Sequence, residues 1–529
     1  MKTIHLDGNS LTISVLDEIA RQRVRVTLTA GAKRRIASAR RLIDSWVESD
    51  QTIYGVTTGF GEFSDVRIDL KDIEQLQENL ILSHAAGAGD PLPPEVVRAM
   101  MTLRVNALSK GYSGARLSTV QTLLEMLDRG ITPVIPSQGS VGASGDLVQL
   151  AHLVLAMMGK GKVWLEPKGV QRLDSDYQRR KIIPSSRALA QAGMKPVRLA
   201  AKEGLALING TQMMTAYAAL AVHQAVALSR LADIVAGMSV EALRGSDTAF
   251  DARIHRLRPY KGQIAVAHAM RRLMKKSEIR RSHRTNDPRV QDAYSIRCIP
   301  QVHGASRDAI DYVYGIVTTE INSANDNPLI FPNDRAHLEG GNFHGQPIAL
   351  AMDFLAIALA ELANISERRT ERLVNGSLSG LPRFLARNGG LNSGYMIAQY
   401  TAASLVSENK VLCHPASVDS IPTSANQEDH NSMGSIGAQK VWRVLKNVQT
   451  VLAIEMLCAS QGLDFTRAAM PGRTIRAGEG VEAAYRCVRN HVDHLDRDRV
   501  IHRDIEQALG LVRNNAVLDS VEHSIGSLH

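Results

Sequence analysis

The sequence predicts a mainly α-helical fold, and three observations predict it. Apolar residues recur at helical spacing through Ile348 to Leu362, Gly394 to Leu412 and Ala438 to Gln461, each segment long enough for several turns. A further segment, Asp146 to Met158, is almost wholly apolar between an opening acid and a closing Gly159. Strand signals are few, and no internal repeat or low-complexity segment breaks the pattern. Helices of this length must bury their stripes against one another, which argues for a central bundle of long helices. With 529 residues, 44% hydrophobic and 22% charged, the chain can build a large core and has a globular rather than a disordered composition.

The N-terminus, Met1 to Asp7, has no apolar leader region, and no run reads as long enough to cross a membrane. A cytoplasmic location without membrane association is the expectation. Cys298, Cys413, Cys458 and Cys487 are far apart and form no Cys-x-x-Cys pair, so neither a disulfide framework nor a zinc site is suggested. The 17 histidines include no His-x-x-x-His or His-Glu-x-x-His pair, and no metal is required. The net charge of +9 is concentrated between Arg271 and Arg289, in Arg271, Arg272, Lys275, Lys276, Arg280, Arg281, Arg284 and Arg289. No aromatic residue interrupts that stretch, so stacking platforms for nucleic acid are missing; a solvated, mobile basic surface is expected instead.

The feature richest in chemistry is Ala143-Ser144-Gly145, which precedes the apolar helix. If the amide nitrogen of Gly145 attacks the carbonyl carbon of Ala143 and two waters leave, the backbone becomes a 4-methylidene-imidazol-5-one (MIO) ring. That reaction needs a small residue, a serine whose hydroxyl can be eliminated, and a glycine that lets the backbone fold back. No ordinary side chain is an electrophile; this ring is one. At a helix N-terminus, unpaired N–H groups and the dipole favour developing negative charge and make the ring a better acceptor.

Around the triplet stand several motifs in a fixed order: Tyr54–Gly61 (Tyr-Gly-Val-Thr-Thr-Gly-Phe-Gly), Ser83–Gly87, Leu207–Thr211, Gln291–Cys298, Asn325–Pro328, Gly340–His344, Ser407–Lys410 and His414–Asp419. Together, from about Tyr54 to about Phe465, the chain resembles the aromatic amino acid lyase family of ammonia-lyases and aminomutases. The resemblance implies a smaller N-terminal domain, 1–205, carrying the electrophile loop, and a central long-helix bundle with a C-terminal helical region, 206–529. This is the fumarase/aspartase-like superfamily architecture, although the Gly-Ser-Ser-x-Met-Pro loop of fumarase-type lyases is absent. It also implies a homotetramer whose active sites each draw residues from three chains.

The resemblance carries roles to particular positions. Tyr54 would be the base for the weakly acidic β-proton, on a Gly-flanked loop able to close over substrate; a phenolate serves only if a cationic, helix-end environment lowers its pKa. Arg297 would clamp the substrate carboxylate with its bidentate fork. Tyr294 and Asn209 would hydrogen-bond the oxygen of the ring made by Ala143, Ser144 and Gly145. Gln291 would help position that region, and Phe343 would pack against ring or substrate.

His84 and Glu408 bear on the choice of substrate, because a buried imidazole needs two polar partners and phenylalanine would leave both unpaired. Their match to the histidine-type members, with that of Leu391–Ala398 and Ser424–His430, favours L-histidine going to trans-urocanate and ammonia. A tyrosine lyase giving coumarate stays open, since Val148 and Gln149 stand where Ala-Pro is usual in histidine-type members. An aminomutase stays open as well, and so does a non-catalytic helical scaffold with a basic patch.

Overall fold

The computed structural model describes every residue except 1, 50, 60, 64–65, 166–180, 286, 288, 471–474 and 529, and only the main chain of Glu62. Phe60 of the Tyr54 motif therefore lies outside the described residues. The chain is mainly helical and divides into two compact units. One comprises Met1–His223, Tyr314–Asp353 and Pro415–Gln439; the other comprises Gln224–Val313, Phe354–His414 and Lys440–His529.

Seven helices carry the argument: α1 (Leu147–Met157), α2 (Glu203–Ile208), α3 (Gln212–Ala242), α4 (Ile299–Glu320), α5 (Gln346–Val374), α6 (Met396–Leu412) and α7 (Gly434–Ala468). The three segments with helical spacing fall on α5, α6 and α7, and the apolar segment before Gly159 on α1. Strands are short. Thr3–Leu6 pairs in parallel with Arg25–Leu28, and Ile131–Pro133, Lys162–Leu165 and Ile182–Pro184 form an antiparallel sheet with Ile131 opposite Leu165. Ala88–Pro91 pairs antiparallel with Pro136–Gln138 and so delivers the chain to the Gly139–Asp146 loop.

In the first unit, Leu42, Ile43, Trp46, Ile53, Val56, Ile73 and Ile330 close into one buried apolar cluster. Ile53 and Val56 flank Tyr54, so burial of its neighbours anchors the Tyr54 turn. In the second unit a buried polar network joins four helices. Arg369 of α5 donates from Nε and Nη2 to the two carboxylate oxygens of Glu455 of α7, at 2.5 and 2.9 Å, and Ser239 of α3 donates to the same carboxylate at 2.6 Å. His303 of α4 contacts Asp233 of α3 through Nδ1 at 2.8 Å and Arg369 through Nε2 at 3.3 Å. Burial holds His303 below its ordinary pKa, though Asp233 works against this. A neutral ring with the proton on Nδ1 satisfies both contacts.

One expectation needs correction and another holds only in part. α3 and α5 are long and apolar enough to cross a membrane, where the sequence pattern suggested no such run, but 72% and 67% of their most apolar stretches are buried inside the protein. They are core helices over most of each apolar stretch, although α5 also exposes Leu350, Phe354 and Ile357. The basic stretch is solvated at Lys275, Lys276, Arg281, Arg284 and Arg289, as expected, yet several of its side chains are paired. Arg280 is buried against Asp247 at 2.7 Å, Arg284 reaches the same carboxylate at 3.0 Å, Lys276 pairs with Glu479 at 2.5 Å, and Arg271 and Arg272 donate to main-chain carbonyls. Long basic side chains find acceptors wherever helix ends present carbonyls.

Removing one member of a buried ion pair leaves an uncompensated charge at a cost of about 3–5 kcal/mol, whereas removing both costs far less. Arg369→Leu is therefore expected to lower the thermal unfolding midpoint well below that of the Arg369→Leu/Glu455→Leu double variant.

Candidate active site

The electrophile loop is held from both sides. Gly142 and Gly145 adopt left-handed backbone, at φ +77° and +75°, which lets the chain turn sharply before and after Ala143 and Ser144. On one side Met433 N–H donates to Val141 O at 2.9 Å and Ser432 Oγ to Gly142 O at 3.2 Å. On the other, Gly210 N–H donates to Ser144 O at 3.3 Å and Asp146 N–H to Gly210 O at 2.8 Å. A Cβ on Gly145 would overlap the Gly210 carbonyl, so only glycine closes this contact.

Asp146 precedes α1 without capping it by its side chain. Its Oδ2 accepts from Met213 and Met214 N–H, at 2.8 and 3.0 Å, in the first turn of α3, and its Oδ1 accepts from Ser435 Oγ at 2.7 Å in the first turn of α7. One buried carboxylate thus gathers three helix N-termini beside the triplet. Burial pushes its pKa up to about 6, against the pull of those donors.

Ala143 and Ser144 open onto a cleft of about 780 Å³ that Tyr54, Asn209, Glu339, Phe343, His344, Glu428 and His430 also line. Ser144 Oγ is 3.3 Å from Glu428 Oε1, and Thr423 Oγ1 donates to Glu428 Oε2 at 2.7 Å. The rings of His344 and His430 stack with centroids 5.7 Å apart. The Asn209 side-chain oxygen is buried with no hydrogen-bond partner among the described residues. His84 stands just outside this lining, its Nδ1 3.1 Å from Ser83 Oγ. Burial lowers the His84 pKa, while the Leu80 carbonyl and Glu428 oppose the shift.

Burial also raises the Tyr54 pKa; Glu428 and Glu339 push the same way, and only the Gly61 N–H, 3.4 Å from the phenol oxygen, opposes them. Among the described residues the cationic surroundings expected of a phenolate base are missing from this cleft, whose nearby charges are carboxylates.

Four of the residues singled out in the sequence lie elsewhere, in the second unit. Arg297 stacks its guanidinium 4.5 Å from the Tyr294 ring and donates to Gln291, while its Nε is buried without a hydrogen-bond partner among the described residues and Tyr294 is 71% exposed. Glu408 of α6 is tied to Arg443 at 2.9 Å and Asn447 at 2.7 Å and is not part of the cleft. The carboxylate that does face Ser144 is Glu428, to which the motifs assign no role. The available signal was the run Gln427-Glu428-Asp429-His430, four polar side chains in succession outside any long helix.

A family model described as aromatic amino acid lyase matches residues 11–490. The chain belongs to the aromatic amino acid lyase family. It is 52% identical over 525 residues to a histidine ammonia-lyase of Alkaliphilus oremlandii, covering 99% of each. It is similar to the crystal structure of histidine ammonia-lyase from Trypanosoma cruzi, with a TM-score of 0.89 and 47% identity over 99% of this chain and 96% of that one. It is also similar to tyrosine aminomutase from Streptomyces globisporus, with a TM-score of 0.90 and 37% identity over the whole of both chains. The fold is therefore shared with family members whose names differ in substrate and outcome.

Because the pKa of Asp146 stands near 6 when folded and near 4 when unfolded, the folded protein binds the extra proton in between. Its contribution to stability falls as pH rises through about 4 to 6 and is flat above. Asp146→Asn removes that slope and keeps an oxygen for Met213 and Met214. Its stability relative to the native protein should rise between pH 4 and pH 6 and then level off, as measured by denaturant unfolding across that range.

Proposed function

We propose that the chain eliminates ammonia from L-histidine to give trans-urocanate, using an MIO group made from Ala143, Ser144 and Gly145. The observation that carries this is the Glu428 carboxylate, 3.3 Å from Ser144 Oγ and close enough to act on both Tyr54 and His84. The name of the Alkaliphilus relative supports the same substrate.

The triplet fits the ring. Gly145 is bent back in a conformation that suits it, Ser144 faces the cleft, and Asn209, whose side-chain oxygen is buried without a partner among the described residues, lines the same cleft. When formed, the ring supplies an electrophilic carbon that takes up the substrate amine and makes ammonia a better leaving group. In closing it, Gly145 N bonds to Ala143 C. The Ala143 oxygen leaves as water with the Gly145 and Ser144 amide protons, and the Ser144 hydroxyl leaves as a second water with the Ser144 α-proton.

Glu428 and His84 pair with the two imidazole nitrogens, which orients the side chain and rejects a plain phenyl ring that would leave both groups unpaired. Phe343 packs against ring or substrate, Tyr54 takes the β-proton, and Asn209 hydrogen-bonds the ring oxygen. Arg297 binds the substrate carboxylate, with Gln291 and Tyr294 beside it, and reaches the cleft from another copy of the chain in a homotetramer. Tyr312, Phe354, Ile397, Tyr400 and Val411 leave an exposed apolar surface on the second unit that assembly would cover. Such assembly also answers the Tyr54 problem, because a guanidinium brought to the cleft lowers the phenol pKa that burial raises. The protein acts in the cytoplasm.

The likeness to a tyrosine aminomutase favours a second reading, in which the amine returns to the β-carbon. Offered L-histidine, L-tyrosine and L-phenylalanine separately, the protein is expected to form urocanate alone by ultraviolet absorbance. Coumarate, or a β-amino acid found by chromatography, would overturn the assignment. Ser144→Ala is expected to abolish turnover. Glu428→Gln is expected to lower kcat/KM for histidine by roughly 10²–10³-fold, as removal of a placed charged group does.

A further inference from the structure

We infer that Arg104 is a positioning residue for the electrophile: it grips the Asn209–Gly210 peptide from behind and so sets the hydrogen bond which that peptide gives to Ser144. The inference rests on the elimination chemistry proposed above, for which the Ser144 oxygen matters.

Arg104 lies on the buried helix Pro94–Ser109 and is itself wholly enclosed. Its Nη1 donates to Asn209 O at 2.7 Å and to Gln212 Oε1 at 2.8 Å, and its Nη2 donates to Ala206 O. Every one of these acceptors is neutral, and Asp326 acts on the guanidinium only through space. Burial brings the pKa down to about 10, which leaves the group charged at neutral pH. A full positive charge is thus held against the carbonyl end of α2, where the helix dipole is negative.

One of the two carbonyls that Arg104 holds belongs to the Asn209–Gly210 peptide, and the N–H of that same peptide donates to Ser144 O. A cation on the oxygen side polarises an amide and strengthens its donor, more so where little water competes. Ser144 O keeps its place when residues 143 to 145 close, so a fixed donor aimed at it stabilises negative charge there as an oxyanion-hole donor does. Packing enforces the alignment. A Cβ on Gly210 would come within 2.8 Å of Arg104 Nη1 and 2.6 Å of Asn325 O, and Gly145 crowds the adjoining carbonyl of Gly210 from the triplet side. Lysine would keep the charge but could not fork between Asn209 and Ala206.

If Arg104 served the fold alone, substitution would reduce the amount of folded protein and leave each folded molecule normal. The test uses the full-length protein and three measurements: intact mass for the loss of two waters, kcat and KM per water-depleted subunit, and the thermal midpoint. Folded Arg104→Lys is expected either to lose the waters incompletely or to lose them and show kcat lowered about 10–100-fold with KM changed less than about twofold. Folded Arg104→Lys with complete water loss and native kcat would overturn the inference. Should Arg104→Lys fail to fold, Gln212→Glu decides by the same criteria, because a carboxylate there draws Nη1 from Asn209 O, with the lost Gln212 Nε2 bond to Asn325 Oδ1 read separately in the thermal midpoint. A native protein at its full sequence mass would instead count against the elimination chemistry itself.

Discussion

The site depends on one buried carboxylate. Asp146 draws the first turns of α3 and α7 to the start of α1 through three hydrogen bonds of 2.7 to 3.0 Å, and the triplet is the stretch of chain immediately before it. Burying a carboxylate is costly, as its raised pKa records, and the surrounding N–H and hydroxyl donors recover part of that cost. With Asp146 fixed, the Gly145 backbone lies directly on that of Gly210, an approach that any side chain at Gly145 would prevent. Three helix N-termini then point their positive ends at a loop whose proposed chemistry gathers negative charge.

The electrostatics of the cleft favour a nitrogen-bearing substrate and oppose ionisation of Tyr54. Glu339 and Glu428 suit a substrate with nitrogen donors, yet they raise the Tyr54 pKa in the direction that weakens a base. Arg297, Tyr294 and Gln291 already form a group of their own, with the guanidinium stacked on a mostly exposed ring. A charged fork ordered on the surface beside its own aromatic partner is well suited to act on another molecule.

Much of this was legible in the sequence because local chemistry dictated it. The triplet demanded Ala, Ser and Gly in order, and the long helices announced themselves through apolar spacing, with α5, α6 and α7 where that spacing lay. Less legible was anything set by tertiary contact. Asp146 read as the acid opening its own helix, whereas its side chain serves two others. Glu408 sat in a good motif and proved to be tied to Arg443, while Glu428 belonged to a matching segment to which no chemistry had been given. Arg104 carried no local signal, since an arginine within an apolar helix reveals its partners only once α2 and the start of α3 are folded against it.

The most direct measurement is the mass of the native peptide spanning Ser140 to Leu150 after proteolysis of the purified protein. Cyclisation of Ala143, Ser144 and Gly145 predicts a peptide lighter than its sequence by two waters. A peptide at the full sequence mass would contradict it, because the cleft would then hold carboxylates and a tyrosine but no electrophile.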